Sequence, residues 1–254
     1  MTRRDSSRRR DALAIVAKYP RPGHVKTRLG ATIGFERSAR LYRAFLRDLA
    51  ERFTQASQAG EYDLIWACAD DPMLMVSALG TGARMIPQRG ADFATRLYHI
   101  CRETAALGYE RTIILGSDSP HVPAVAVTRA RALLDRADVA LGPAEDGGYY
   151  LVGVRNRPAP PDIFTGITMS TSQVLAQTLE RATALGLTTQ MIATTFDVDT
   201  GADMLRLAQT LDAAPALAPR TYELLQELVA RVATTAPTTA PTTAAAEGDA
   251  HGAL

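Results

Sequence analysis

"RTIILGSDSP", residues 111–120, is the stretch that decides the fold. Its apolar run, Ile113-Ile114-Leu115, is too short for a helix and is closed off by Gly-Ser-Asp-Ser-Pro. It therefore reads as a buried strand that opens into a polar turn. Runs of the same kind lie on both sides of it. Upstream are "ALAIVAK" (12–18), "DLIWACA" (63–69) and a weaker "ARMIP" (83–87); downstream are "DVALGP" (138–143) and "TTQMIA" (188–193).

The segments between these strands carry a helical period. A long amphipathic helix is expected after residue 30, with Tyr42, Phe45, Leu46, Leu49 and Phe53 on one face. Residues 92–108 place Phe93, Leu97, Ile100 and Cys101 on one face and stop at Gly108. Further helices are expected over 124–136, over 170–186 with Ser170 or Thr171 as N-cap, after "FDVDTGADM" (196–204), and over 218–232. Strands and helices alternate from end to end, which implies an α/β fold with a mainly parallel sheet flanked by helices on both faces. Residues 12–232 are expected to form a single domain.

Composition narrows the class. At 46% hydrophobic and 22% charged the chain reads as soluble and globular, and its formal charge of +1 gives no global field to draw it to nucleic acid or membrane. The first ten residues hold five arginines and one aspartate, and residues 1–11 read as a disordered basic tail. "TTAPTTAPTTAAAEGDAHGAL" is low-complexity, so 233–254 read as a disordered tail too. No apolar segment follows the arginines in the manner of a secretory signal, and no run is long enough to span a membrane. Cys68 and Cys101 belong to no Cys-x-x-Cys pair and read as buried free thiols. A cytoplasmic location without zinc follows from this.

In an open α/β sheet ligands bind beyond the carboxyl ends of the strands, so unusual polar residues at strand ends are the candidates. "KYPRPGHVKTRLG" (18–30) follows the first strand and reads as a loop throughout, because two prolines and a glycine bar regular structure. Lys18, Gly23, Lys26, Thr27 and Arg28 gather there, and cations on a glycine-containing loop suit a phosphate. Asp118, with Ser117 beside it, follows the buried strand at 111–116 and suits Mg²⁺ or Mn²⁺, since such an ion takes one or two protein carboxylates and fills its shell with phosphate and water. In "FDVDTGADM" Asp197 and Asp199 flank a valine in an extended segment and point to opposite faces, so at most one faces a given site. Thr200 and Asp203 there form a capping pair for the next helix.

"GPAEDGGYYLVGV" (142–154) adds a carboxylate, Asp146, and bare backbone at Gly147 and Gly148, where a ligand can come close. Tyr149 and Tyr150 alternate across the strand that follows, one toward the ligand and one toward the core. Cations after the first strand and carboxylates after later ones make a metal–phosphate site. Of the histidines, His24 and His121 lie close enough to these motifs to touch a ligand, but no nucleophile–base constellation is present.

"KYPRPGHVKTRLG", "LGSDSP", "LGPAEDGGYYLVGV", "IFTGITMSTSQVL" and "FDVDTGADM" together, in order and spacing, resemble a bacterial family of glycosyltransferase A-like proteins. That family was once a domain of unknown function and is now associated with arsenosugar biosynthesis and radical-SAM/selenodomain systems. The resemblance covers about residues 12–212. It is similar in turn to phospholactate and molybdenum-cofactor guanylyltransferases. It implies a nucleotide-diphospho-sugar transferase (GT-A, Rossmann-like) fold, metal held by Asp118 and Asp199, and phosphates gripped by Lys26 and Arg28 with Lys18 behind them. The family tends to carry Asp-Leu-Gly-Glu-Arg-Met after the third strand. Here Asp92 and Arg96 match, while Ala94 and Thr95 replace the glycine and glutamate.

Three functions stay open on these residues. One is a metal-dependent glycosyltransferase with a nucleotide sugar donor and a small-molecule acceptor, Asp146 serving as base and Lys26 or Arg28 assisting the leaving diphosphate. The second is a nucleotidyltransferase joining a nucleoside triphosphate to a phosphorylated small molecule. The third is a nucleotide-binding protein without turnover.

Overall fold

The computed structural model describes residues 11–80 and 84–235. Both tails expected from the sequence lie essentially outside these residues. Seven strands form one sheet: β1 (Asp11–Ala17), β2 (Asp63–Cys68), β3 (Arg84–Pro87), β4 (Arg111–Gly116), β5 (Val139–Pro143), β6 (Tyr149–Arg155) and β7 (Thr189–Met191). Their order is β3-β2-β1-β4-β6-β5-β7. β6 runs antiparallel to both neighbours, β4 and β5, while all other pairs are parallel. The antiparallel member follows from the short 144–148 turn, which leaves room only for a hairpin return.

Helices α1 (Thr27–Ile33), α2 (Phe35–Gln58), α3 (Pro72–Leu79), α4 (Phe93–Ala106), α5 (Ala124–Leu133), α6 (Val174–Ala184), α7 (Gly201–Ala213) and α8 (Pro219–Thr235) cover the sheet. Side chains alternate across each strand, so Leu13 and Ile15 enter one core while Ala12 and Ala14 enter the other. The larger core packs Leu29, Phe45, Val127, Leu207 and Leu225 against Trp66 and Leu115. The second packs Leu97, Ile100, Phe164 and Ala182 against Ile65, Ile114 and Val152. Both cysteines are buried and free, as expected. Among the described residues no helix is long and apolar enough to cross a membrane.

Three local readings are corrected. The loop after β1 ends at Lys26, not at Gly30, because Thr27-Arg28-Leu29 already form α1, and Gly34, at φ 91°, separates α1 from the long α2. α3 was not expected, although its signals are all in the sequence: Asp71 accepts the Met73 N–H at 2.8 Å, Pro72 opens the helix, and Gly80 closes it at φ 71°. α6 starts at Val174 rather than at residue 170 or 171, because Ser170 sits in the left-handed region at φ 62° and Thr171 turns its hydroxyl back to the Thr168 carbonyl.

Candidate active site

The carboxyl ends of β1, β4 and β7 lead into three segments that meet around one buried ammonium. Lys26 closes the loop after β1 with its backbone left-handed, at φ 48° and ψ 45°. Its side chain, 3% exposed, runs beside the rings of Tyr42 and Phe45, with Nζ 5.8 and 6.0 Å from their centroids. Nζ pairs with the Asp118 carboxylate from the turn after β4 and, at 2.9 Å, with Oδ1 of Asp199 from the segment after β7. Arg28 donates to the other oxygen of Asp199 at 2.6 Å. Lys26 thus gathers acids 92 and 173 positions away in sequence into one charge cluster.

The backbone fixes the acids in place. Val198 N–H donates to the Asp118 carbonyl at 3.0 Å, and the Ser119 hydroxyl donates to the Phe196 carbonyl at 2.9 Å and to the Asp197 carboxylate. The turn after β4 and the 195–199 segment therefore zip together, and residue alternation sends Asp199 to Lys26 and Asp197 to Ser119. The expected division between the two acids is what the structure shows. Arg52 of α2 grips the same turn through the Pro120 and Val122 carbonyls, at 2.9 and 2.5 Å.

Charge and burial set the protonation states. Burial alone would lower the pKa of Lys26, but the neighbouring Asp118 and Asp199 reverse this and hold it above its ordinary value. Burial would raise Asp199, yet Lys26 and Arg28 hold it below the usual carboxylate range. Asp197 goes the other way: burial pushes it up to about 6, with the Asp118 and Asp146 charges adding to the rise and Ser119 and Lys26 opposing it. Tyr42, under Lys26, is pushed up to about 12 chiefly by burial.

His121 is structural. Burial, with Arg52 and Arg206 nearby, lowers it to about 4, so it is neutral at pH 7. Its Nε2 lies 2.8 Å from the Thr195 hydroxyl, its ring stacks on Phe196 at 4.2 Å, and Arg206 covers the other side of Phe196 at 3.9 Å while pairing with Glu145 at 2.6 and 2.7 Å. This stack ties α7 to the loop after β5.

The remaining sequence candidates divide. Asp146 stays exposed at the rim, its carboxylate accepting the Gly148 N–H at 2.9 Å, and its charge is felt at Asp197. Gly23 and Lys18 are exposed on the cationic loop, and Thr27 and Arg28 are exposed in the first turn of α1. Lys18 lines a cavity of about 240 Å³ together with Arg21, His24 and Asp70. Ser117 is buried, its hydroxyl 2.7 Å from that of Tyr42, so it serves the packing under Lys26. Gly147 is explained by the chain itself: at φ 89° it lies so close that a Cβ would come within 2.2 Å of the Ser172 carbonyl oxygen. Tyr149 packs against the second core with its hydroxyl buried beside Thr178, and Tyr150 enters the first core and donates to the Ala193 carbonyl at 3.1 Å, so both tyrosines pack inward. Asp92 caps α4 through the Thr95 N–H at 2.7 Å, and Arg96 holds the Gly90 carbonyl at 3.1 Å; among the described contacts neither touches the Lys26 cluster.

Ser119, Tyr42 and Arg52 escaped the sequence reading. Ser119 adjoins Asp118 in the same turn and could have been found by asking what satisfies the neighbouring acid. Tyr42 and Arg52 carry only a helical signal. A larger hollow of about 430 Å³ beside α2 is lined by Arg47, Glu51, Gln55 and Arg220 and includes no member of the cluster.

Residues 38–171 match the family described as "Uncharacterized protein conserved in bacteria (DUF2064)". The chain belongs to this family. Among solved structures it is similar to a candidate nucleotide-diphospho-sugar transferase from Desulfovibrio desulfuricans G20, at 33% identity over 89% of this chain and 97% of that one, with a TM-score of 0.81. More distant likenesses share the fold alone. One is CMP:2-keto-3-deoxy-manno-octonic acid synthetase complexed with CTP, at 18% identity, covering 80% and 98% of the two chains, TM-score 0.50. Another is a cytidylyltransferase from Leptospira borgpetersenii serovar Hardjo-bovis, at 9% identity, covering 89% and 96%, TM-score 0.54. No curated protein matches the chain. The DUF2064 member thus has the nucleotide-diphospho-sugar transferase fold expected from its sequence motifs.

Proposed function

We propose that the protein is a transferase that binds a nucleotide-diphospho-sugar and moves the sugar to a small-molecule acceptor. One observation carries the reading: a buried lysine from the β1 loop and carboxylates from the ends of two other strands converge where α/β folds bind ligands. The similarity to the Desulfovibrio protein supports the class of donor.

Lys26 and Arg28 are placed to stabilise negative charge on a leaving diphosphate, and preorganised charge of this kind is commonly the largest catalytic contribution. Asp146, exposed at the rim and within electrostatic reach of Asp197, is the carboxylate to take the proton from an acceptor hydroxyl. The cavity beside Lys18, Arg21 and Asp70 is the place for the nucleoside.

A divalent cation fits the donor chemistry. Among the described residues no group of three His, Cys, Asp or Glu could hold a metal, but Mg²⁺ takes only one or two carboxylates when phosphate and water complete its shell. Asp118 and Asp199 would hold it, and it would neutralise charge on the diphosphate.

The cations around this loop, Lys18, Arg21, Lys26 and Arg28, suit a triphosphate equally well, which makes nucleotidyl transfer the second reading. Thermal shift with Mg²⁺ against a panel of nucleoside triphosphates and nucleotide sugars separates the two without knowledge of the acceptor. A ligand at 100 times its Kd stabilises by about 2.7 kcal/mol. At about 2–4 °C per kcal/mol for this size, the melting point should rise by roughly 5–10 °C. A shift with one nucleotide sugar supports glycosyl transfer. A shift with a triphosphate and with no sugar moves the assignment to nucleotidyl transfer, and no shift with any nucleotide refutes both.

A further inference from the structure

Lys26 occupies the position that a divalent cation would need. Its ammonium touches both Asp118 and Asp199, the two acids assigned to a metal, and is 2.9 Å from an oxygen of the second. It has no alternative home in the ligand-free protein: the side chain is 3% exposed, and its surroundings besides the acids are the rings of Tyr42 and Phe45. The left-handed backbone at residue 26 is costly for a side chain larger than glycine and is tolerated where the surrounding contacts demand it. A second cation drawn to the same oxygens would meet a fixed positive charge, because a buried ammonium cannot retreat into water while remaining where it is. A diphosphate changes this balance, since it offers the ammonium a new partner and adds negative charge for the metal.

We propose that Lys26 is a resident stand-in cation: it holds Asp118 and Asp199 together in the free protein, excludes a lone divalent ion, and yields the carboxylates only when a diphosphate draws it away. The inference rests on the nucleotide and metal reading above and adds an order to it. Metal and nucleotide bind with positive coupling, and by linkage each raises the affinity of the other by the same factor, about 5–150-fold in typical systems. The device keeps the acids from trapping a metal unproductively.

The test measures Mn²⁺ binding, by the electron paramagnetic resonance signal of the free ion, to wild-type protein and to Lys26→Met, with no nucleotide present. Methionine keeps the length and the apolar contacts with Tyr42 and Phe45 but removes the charge. The expected result is Mn²⁺ binding at least about tenfold tighter in Lys26→Met, near the lower end of typical coupling, and loss of that gain when Asp118→Asn is added. Equal or weaker binding in Lys26→Met, with wild type binding Mn²⁺, keeps the metal site and overturns the exchange. Binding to neither protein removes the metal reading and the exchange with it.

A second measurement needs no variant. Lys18 and Lys26 are the only lysines in the chain, and Lys18 is exposed, so it serves as an internal reference for amine acylation followed by mass spectrometry. Lys26 should be protected in metal-free protein and stay protected when Mn²⁺ is added without a diphosphate, while Lys18 reacts throughout. Loss of that protection with Mn²⁺ alone overturns the proposal.

Discussion

Asp197→Asn should make the ligand-free protein more stable at pH 7.5, and the gain should vanish in acid. The Asp197 carboxyl ionises at about 6 in the folded protein instead of its ordinary 3.8, with burial as the main cause. The unfolded chain gives up this proton near its ordinary value. Between about pH 4 and pH 6 the folded state therefore holds one proton more than the unfolded state, and stability falls as pH rises through that window. Above it the folded protein carries a charge it has poorly solvated. A rise of about two pKa steps, at about 1.4 kcal/mol each, sets a ceiling of about 3 kcal/mol. Asparagine has nearly the same shape, still accepts the Ser119 hydroxyl, and brings no charge next to Asp118. At about 2–4 °C per kcal/mol the variant should melt roughly 3–10 °C higher at pH 7.5. Thermal melts in half-unit pH steps from 4 to 8, with chelator present, check this. The two curves should meet near pH 4, separate up to about pH 6 and run parallel above it. A variant that melts lower at pH 7.5, or curves parallel throughout, would refute the account of Asp197 as a strained, desolvated acid.

Three further outcomes are expected. Asp146→Asn should leave nucleotide-induced thermal shifts intact and lower turnover by about 10²–10⁴-fold, the usual worth of a positioned base; unchanged turnover would move the base elsewhere. Asp48→Ala should destabilise without touching nucleotide binding. The buried Asp48 carboxylate accepts the Arg220 and Thr221 N–H groups at the start of α8, at 3.2 and 2.8 Å. Losing a cap and charge-assisted bonds costs about 2–4 kcal/mol, roughly 5–15 °C in a melt. Gly147→Ala should lower both stability and the nucleotide-induced shift, because a Cβ at that positive φ runs into the Ser172 carbonyl and pushes the Asp146 turn off α6.

Much of the fold was legible because its strands are short apolar runs that end in turn chemistry. "RTIILGSDSP" and "DLIWACA" gave β4 and β2 nearly to the residue. What the sequence concealed was local competition. Leu-Gly in "TRLGATI" looked like a loop end, yet α1 runs through Gly30 because its bare Cα accommodates the Phe35 ring, which a Cβ would meet at 2.5 Å. The place of β6 between β4 and β5 is a long-range pairing that no local pattern states. At the site, strand-end acids and loop cations were legible as residue types, and Asp118, Asp199, Lys26 and Arg28 do come together. Gly147 and Tyr149 were read toward a ligand, whereas packing against Ser172 and against the second core explains them. A bare backbone and an aromatic ring serve a crowded turn as well as they serve a nucleotide, and only the neighbours across the fold decide which.

Lys26 shows how far residue type alone can be pressed. Of 28 basic side chains only Lys18 and Lys26 are lysines; the chain otherwise uses arginine, even for the buried contacts of Arg52. Lysine at 26 is therefore not a general habit of this sequence. Geometry supplies the reason. An ammonium is a compact point charge that can face Asp118 and Asp199 at once, whereas a guanidinium is a wide planar fork that prefers one carboxylate edge-on. The lysine side chain is buried, with Nζ 5.8 and 6.0 Å from the ring centroids of Tyr42 and Phe45, so a bulkier head group would have to be fitted into the same buried position. Lys26→Arg, conservative in charge, should then behave as a disruptive change. Overpacking should cost about 1–3 kcal/mol of stability, roughly 2–12 °C in a melt. The nucleotide-induced shift should fall, since the charge no longer sits where a diphosphate and both acids can share it. Full retention of melting point and nucleotide response in Lys26→Arg would mean that positive charge alone suffices at this position, and the argument from ammonium geometry would fail.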